Sequence, residues 1–185
     1  MQSENFYAHG EYILHNPTLH EEDSPWKVHK IRPFVDKFLK IHAKETIALL
    51  DVGGGAGKIL AAVTEQIENA GRKVEQYSLD LSPDMLRVQK RNNPKAKIIS
   101  GDIKKTPFAD KQFDLVLMID VIEHVPQPEI ALKELQRIAR YVIFKVPLED
   151  NFLDGFHNAI TAGKYRARVR KTIGHINIYN CKKSC

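Results

Sequence analysis

The stretch LLDVGGGAGKIL, residues 49 to 60, sets four glycines (Gly53, Gly54, Gly55 and Gly57) within five positions, behind an apolar run and ahead of a helical pattern. Missing Cβ atoms let a chain turn sharply from strand to helix and let a ligand lie directly against backbone. Tight packing of that turn is the structural alternative. A phosphate loop of the form G-x-x-x-x-G-K-[ST] fails here, because Val52 occupies its first glycine position and Ile59 its hydroxyl position. The dinucleotide fingerprint G-x-G-x-x-G matches at Gly53 and Gly55 but meets Lys58 at the third glycine. The pattern D-x-G-x-G-x-G matches throughout, at Asp51, Gly53, Gly55 and Gly57.

Outward from that turn, two kinds of segment alternate over residues 44 to 147. TIALLDV (46 to 52), KVEQYSLD (73 to 80), AKIIS (96 to 100), FDLVLMI (113 to 119) and YVIFKVP (141 to 147) have strand composition. Three of these are almost continuously apolar, as strands covered on both faces are. Between them, Ile59, Leu60, Val63 and Ile67 recur at helical spacing, with Gly71 as a C-terminal stop. Ser82 and Pro83 open a second helix as N-cap and first residue, and NNP closes it. In PEIALKELQRIAR, Ile130, Leu135 and Ile138 are expected on the apolar side. Upstream, SPWKVHKIRPFVDKFLKIH places Ile31, Phe34, Phe38 and Ile41 at helical spacing, and Pro33, which removes one backbone donor, predicts a kink or a restart. Strand and helix in this rhythm predict an α/β fold, a parallel sheet with helices on both faces. Ligands of such sheets bind at the carboxyl ends of the strands.

Those ends carry acids. Asp80 closes the second strand, where a carboxylate accepts hydrogen bonds from both hydroxyls of a ribose. Asp102 follows the third strand in SGDI, and Asp120 the fourth in FDLVLMIDVIEHVPQP. Each acid alone has a structural alternative, the capping of a turn.

Taken together, the glycine turn, LDLSPDML, SGDI and the EHV turn resemble the class I S-adenosylmethionine-dependent methyltransferases over residues 46 to 147, in particular the subgroup with an EHV turn that includes quinone-type O-methyltransferases. The resemblance implies a Rossmann-like sheet of order 3-2-1-4-5. It implies binding of S-adenosylmethionine, with S-adenosylhomocysteine as product, through Asp51, Gly53, Gly55, Gly57, Asp80, Leu81, Asp102, Ile103, Met118, Ile119 and Asp120. By that likeness Asp51 balances the ammonium and sulfonium charges, Asp102 accepts from the adenine amine, and Ile103 packs on the ring. Met118, Ile119 and Asp120 follow the methionine and ribose side, with Glu123 and His124 at the mouth. His124 is suited to act as catalytic base near neutral pH; capping the next helix is its alternative role. The expected activity is methyl transfer to an O, N or C nucleophile of a small or medium-sized acceptor. An NAD(P)-dependent oxidoreductase and a non-catalytic relative of the family are the competing readings.

The chain has 185 residues, 43% hydrophobic and 28% charged, with a net charge of +5. These totals fit one globular unit without disulfide or metal staples. Residues 1–43 are expected to form a helical cap or lid, and 44–185 the cofactor-binding domain. The basicity is local, because Lys164, Arg166, Arg168, Arg170 and Lys171 cluster in KYRARVRK. That run is either a solvated face of a loop or edge strand, or a grip for a phosphorylated substrate or nucleic acid. The absence of a signal-like segment or apolar span suggests a cytoplasmic protein. No metal is expected: His15, His20, Glu21, Glu22 and Asp23 are assigned to the lid, with Tyr12 and Trp26 as acceptor contacts, and Cys181 and Cys185 are assigned as free thiols. GHINIYN (174 to 180) resembles the family's approach to its last helix, so the closing antiparallel strands are expected to be missing or truncated.

Overall fold

The computed structural model describes residues 21–147. KYRARVRK, GHINIYN, both cysteines, Tyr12, His15 and His20 lie outside the described residues.

After a short 3-10 turn, Glu21–Asp23, the elements are α1 (Ser24–Ile41), β1 (Thr46–Val52), α2 (Lys58–Asn69), β2 (Lys73–Asp80), α3 (Pro83–Asn92), β3 (Lys97–Ser100), β4 (Phe113–Ile119), α4 (Pro128–Ile138) and β5 (Ala139–Lys145). The five strands pair in parallel in the order β3-β2-β1-β4-β5. This is the expected Rossmann-like arrangement.

Alternation along the central strands sends side chains to two separate cores. Ile47 and Leu49 of β1 join Leu115, Leu117 and Ile119 of β4 on one face, covered by Ile31, Val35 and Phe38 of α1 and by Leu60, Val63 and Ile67 of α2. Leu50 and Val52 join Val116 and Met118 on the other, covered by Ala131, Leu135 and Ile138 of α4 and by Phe108. Every residue of β4 is buried, Asp114 included, as expected of a nearly continuous apolar strand covered on both faces.

Punctuation works as the local chemistry dictates. Ser82 Oγ accepts from the Met85 amide at the start of α3, and Pro83 supplies its first turn. Gly71, at φ 79°, ends α2, and the Arg72 amide donates back to the Ile67 carbonyl.

Four expectations need correction. In α1 the buried stripe is Ile31, Val35 and Phe38, while Phe34 and Ile41 are exposed. Residues 31, 35 and 38 fall within about 60° of one another around the helix, and residues 34 and 41 lie about 40° and 60° beyond the edge of that arc. A single helix runs through Pro33, so α1 does not restart there. In α4 Ala131 takes the buried position expected for Ile130, which is exposed. The step of five residues from 130 to 135 does not hold a face, whereas 131, 135 and 138 do. Finally, β5 starts at Ala139, directly after α4, because its register pairs Ala139 with Phe113 and Lys145 with Ile119.

Candidate functional site

The carboxyl ends of the strands are tied to one another by backbone bonds. The Gly53 amide donates to the Leu79 carbonyl at 2.8 Å, the Gly101 amide to the Asp80 carbonyl at 3.0 Å, and the Asp120 amide to the Lys145 carbonyl at 2.9 Å. Around this rim lies a crevice lined by Gly53, Gly55, Asp80, Leu81, Asp102, Ile103, Asp120 and His124. Its remaining walls include Val121, Val125 and Pro126 from the segment after β4 and Met85 from α3.

The glycine loop is shaped for close approach. Gly53, Gly55 and Gly57 have φ of 64°, 54° and 76°, a region that residues with a Cβ enter at a cost. A Cβ on Gly53 would sit 2.8 Å from Val121 Cγ2, and one on Gly54 would sit 2.1 Å from Asp51 Oδ2. Gly57 turns away from the crevice onto α3, where its carbonyl accepts from Asn93 Nδ2 at 2.9 Å.

Asp51 lies beneath this loop, 1% exposed, and its Oδ2 has no hydrogen-bond partner among the described residues. Burial, reinforced by the negative charge of Asp80, pushes its carboxyl up to about 7. Asp80 is raised to about 6 by burial, against the bonds it accepts from the Ser82 amide at 2.9 Å and Gln89 Nε2 at 3.3 Å. Two neighbouring acids that resist ionisation are under-supplied with positive charge. Asp102 is engaged within its own turn: its Oδ1 accepts from the Lys104 amide at 2.9 Å, and its Oδ2 lies 3.3 Å from Lys104 Nζ. Asp120, at φ 55°, faces the crevice between Lys27 of α1, at 3.1 Å, and Lys145 of β5.

His124 closes a 3-10 turn, Ile122–His124, and its Nε2 stands 4.0 Å from Glu123 Oε1. Glu123 is buried, and burial pushes its carboxyl up to about 7. Trp26, more than half exposed, has Lys145 Nζ 5.2 Å and Lys30 Nζ 5.7 Å from its ring centre. Among the described residues no group of three His, Cys, Asp or Glu is placed to hold a metal ion. Nor is any helix among them long and apolar enough to cross a membrane.

Of the residues named from the sequence, Gly53, Gly55, Asp80, Leu81, Asp102, Ile103, Asp120 and His124 meet at the crevice, with Asp51 directly behind it. Met118 and Ile119 are buried in opposite cores and do not line it. Gly57 supports the loop from behind. Sequence reading missed Lys27, Lys145, Gln89 and Asn93, which act on the site through contacts between distant segments.

The crevice suits a nucleoside carrying positive charge. Its lining holds three carboxylates; Asp102 is paired with Lys104 and Asp120 with Lys27 and Lys145, which leaves Asp80, and the starved acid Asp51 behind it, without an ion pair among the described residues. S-adenosylmethionine, a cationic nucleoside without phosphate, fits that donor set and the bare backbone of the glycine loop.

Comparison with known proteins agrees with the fold. Residues 50–141 match the family model described as a methyltransferase domain. The chain is 37% identical over 92 residues to a demethylmenaquinone methyltransferase of Renibacterium salmoninarum, covering 50% of this chain and 36% of that protein. It is 31% identical over 133 residues to the ubiquinone/menaquinone biosynthesis C-methyltransferase UbiE of Rhizobium meliloti, covering 63% and 50%. The chain thus spans half or less of the length of these two curated relatives. The fold is shared with the plantazolicin methyltransferase BpumL, solved with a monoazolic desmethylPZN analogue and S-adenosylhomocysteine, at TM-score 0.62 and 18% identity over 75% of this chain and 52% of that one. It is shared too with a putative S-adenosylmethionine-dependent methyltransferase of Methanococcus maripaludis, at TM-score 0.54 and 19% identity over 82% and 73%. With the strand order, the glycine turn and the acidic crevice, these matches make the chain a member of the class I S-adenosylmethionine-dependent methyltransferases.

Proposed function

We propose that this protein transfers a methyl group from S-adenosylmethionine to a nucleophile of a small or medium-sized acceptor. The observation that carries the reading is the meeting of Asp80, Asp102 and the bare backbone of Gly53 and Gly55 in one crevice at the carboxyl edge of a parallel sheet. S-adenosylmethionine, when bound, supplies a methyl group already made electrophilic by its sulfonium.

The chain's own residues then have mainly to hold and orient. Asp80 accepts from the ribose hydroxyls, and Asp102 from the adenine amine, while Ile103 and Leu81 pack against the base. Gly53 and Gly55 admit the amino-acid end to the backbone. Asp51 answers its positive charge, and Asp120, paired with Lys27 and Lys145, borders the methionine side. Holding donor and acceptor in line can supply about 7–11 kcal/mol of barrier reduction. His124, at the mouth of the crevice, takes the acceptor's proton on a ring nitrogen where the nucleophile enters protonated. The apolar walls from Val121, Val125 and Pro126 favour an aromatic acceptor, and the names of the curated relatives direct the first assays to demethylated quinones.

Calorimetric titration with S-adenosylmethionine and with NAD tests the binding step. Binding of the methyl donor, weakened at least tenfold in Asp80→Ala, is expected. Binding of NAD alone would reject the reading. Production of S-adenosylhomocysteine in the presence of demethylated quinone acceptors, followed by mass spectrometry, tests the transfer itself.

A further inference from the structure

Helix α3 reaches both arms of the crevice. At its start the Ser82 amide donates to Asp80 Oδ1 at 2.9 Å. Two turns on, Gln89 is fully buried and its Nε2 donates to the other oxygen, Asp80 Oδ2, at 3.3 Å. At the far end Asn92 Nδ2 donates to the Ala56 carbonyl at 2.8 Å, and Asn93 Nδ2 to the Gly57 carbonyl at 2.9 Å. One rigid element therefore holds the glycine loop and the acid of β2 at a fixed separation.

Gln89 is the unusual member of this set. Its Oε1 has no hydrogen-bond partner among the described residues, although the side chain is wholly buried. A half-satisfied amide buried away from water weakens a fold, and Met or Leu would fill a similar space without that cost. Stability does not account for an amide there, but its bond to the crevice acid does.

We propose that Gln89 is a positioning residue, which fixes the rotation of the Asp80 carboxylate so that both its oxygens face the hydroxyls of a bound ribose. This rests on the reading of Asp80 as the nucleoside-binding acid. The donor also favours the charged carboxylate, so Gln89 governs the pH at which Asp80 becomes competent to bind. The charged groups facing Asp80 are Asp51 from β1, Asp102 and Lys104 after β3, and Asp120 and His124 after β4. The charged residues of α3 itself, Asp84, Arg87, Lys90 and Arg91, do not line the crevice.

The test is calorimetric titration of the full chain with S-adenosylhomocysteine between pH 5 and 9, alongside thermal unfolding, for wild type, Gln89→Met and Gln89→Lys. Gln89→Met is expected to weaken binding about tenfold while unfolding at the same temperature or higher, and to move the pH midpoint of binding upward. Gln89→Lys returns a donor to Asp80; it should bind within about threefold of wild type and move that midpoint downward. A purely structural glutamine would couple loss of binding to loss of thermal stability in both variants, and that result, or unchanged affinity and midpoints, overturns the assignment. If only one variant folds, the direction of its midpoint shift decides. A wild-type chain that binds no S-adenosylhomocysteine at any pH overturns the functional reading and this inference with it. Wild-type binding matched by both variants removes the positioning role alone.

Discussion

Asp51 shows how a single side chain can be tuned against its own fold. Its carboxyl is raised from 3.8 to about 7, first by burial and then by the charge of Asp80. A folded-state value above the unfolded one means that the native state binds the extra proton, so stability falls as pH rises from about 4 to about 7. The span corresponds to a few kcal/mol for a group this buried. Asp51→Asn removes the titration, and its stability relative to wild type should improve from pH 5 to pH 8 in urea unfolding. A difference between the two proteins that stays constant with pH would contradict this account. For the same reason a cationic ligand relieves the wild-type acid most at high pH, so the thermal shift given by S-adenosylmethionine should grow over that interval.

The same scale separates two kinds of glycine. Gly71 has φ 79° with nothing within 4 Å of an added Cβ, whereas Gly54 has Asp51 Oδ2 at 2.1 Å. Gly71→Ala should cost roughly 1–2 kcal/mol of stability and leave nucleoside binding untouched. Gly54→Ala drives a methyl into the buried carboxylate and should abolish binding of S-adenosylmethionine in the calorimeter. Equal effects of the two substitutions on binding would show that the loop does not carry the ligand.

At the scale of the element, α1 behaves as part of the sheet's own packing. Ile31, Val35 and Phe38 share a core with Ile47, Leu49 and Leu115, and the Phe38 ring stacks on His42 at 5.0 Å and meets the edge of Tyr141 at 5.4 Å. Phe38→Ala should therefore destabilise the domain by about 3–5 kcal/mol, as truncation of a central aromatic does. Phe34→Ala, on the exposed face of the same helix, should change stability by no more than about 0.5 kcal/mol. Denaturant midpoints compare the two directly, and a cost for Phe38→Ala as small as that for Phe34→Ala would place α1 outside the core. The start of the helix reaches the site as well, since Lys27 pairs with Asp120 at the crevice rim.

For the molecule as a whole, the order β3-β2-β1-β4-β5 sets β1 and β4 side by side at the centre. The turns after them, the glycine loop and the segment from Asp120 to Pro126, thus face each other across the crevice, and Gly53 meets Val121. Beyond β4, the β5 side chains of Tyr141, Val142 and Phe144 are exposed.

The local sequence was enough to determine the strands, most of their bounds, and the glycine turn, because apolar periodicity and capping chemistry act between residues a few positions apart. Those rules also mark acids at strand tips. They misplaced Phe34 and Ile130 because a helical face depends on where the helix is pressed against its neighbours, which a spacing count leaves free. The grouping of Asp80, Asp102 and Asp120 around one crevice, the burial of Asp51 beneath Gly54, and the withdrawal of Met118 and Ile119 into the cores were decided only by tertiary structure. So were Gln89 on Asp80 and Lys27 on Asp120, contacts between separate elements that close only when the sheet is assembled. Burial and charge proximity are properties of assembled space, so they come into being with the fold.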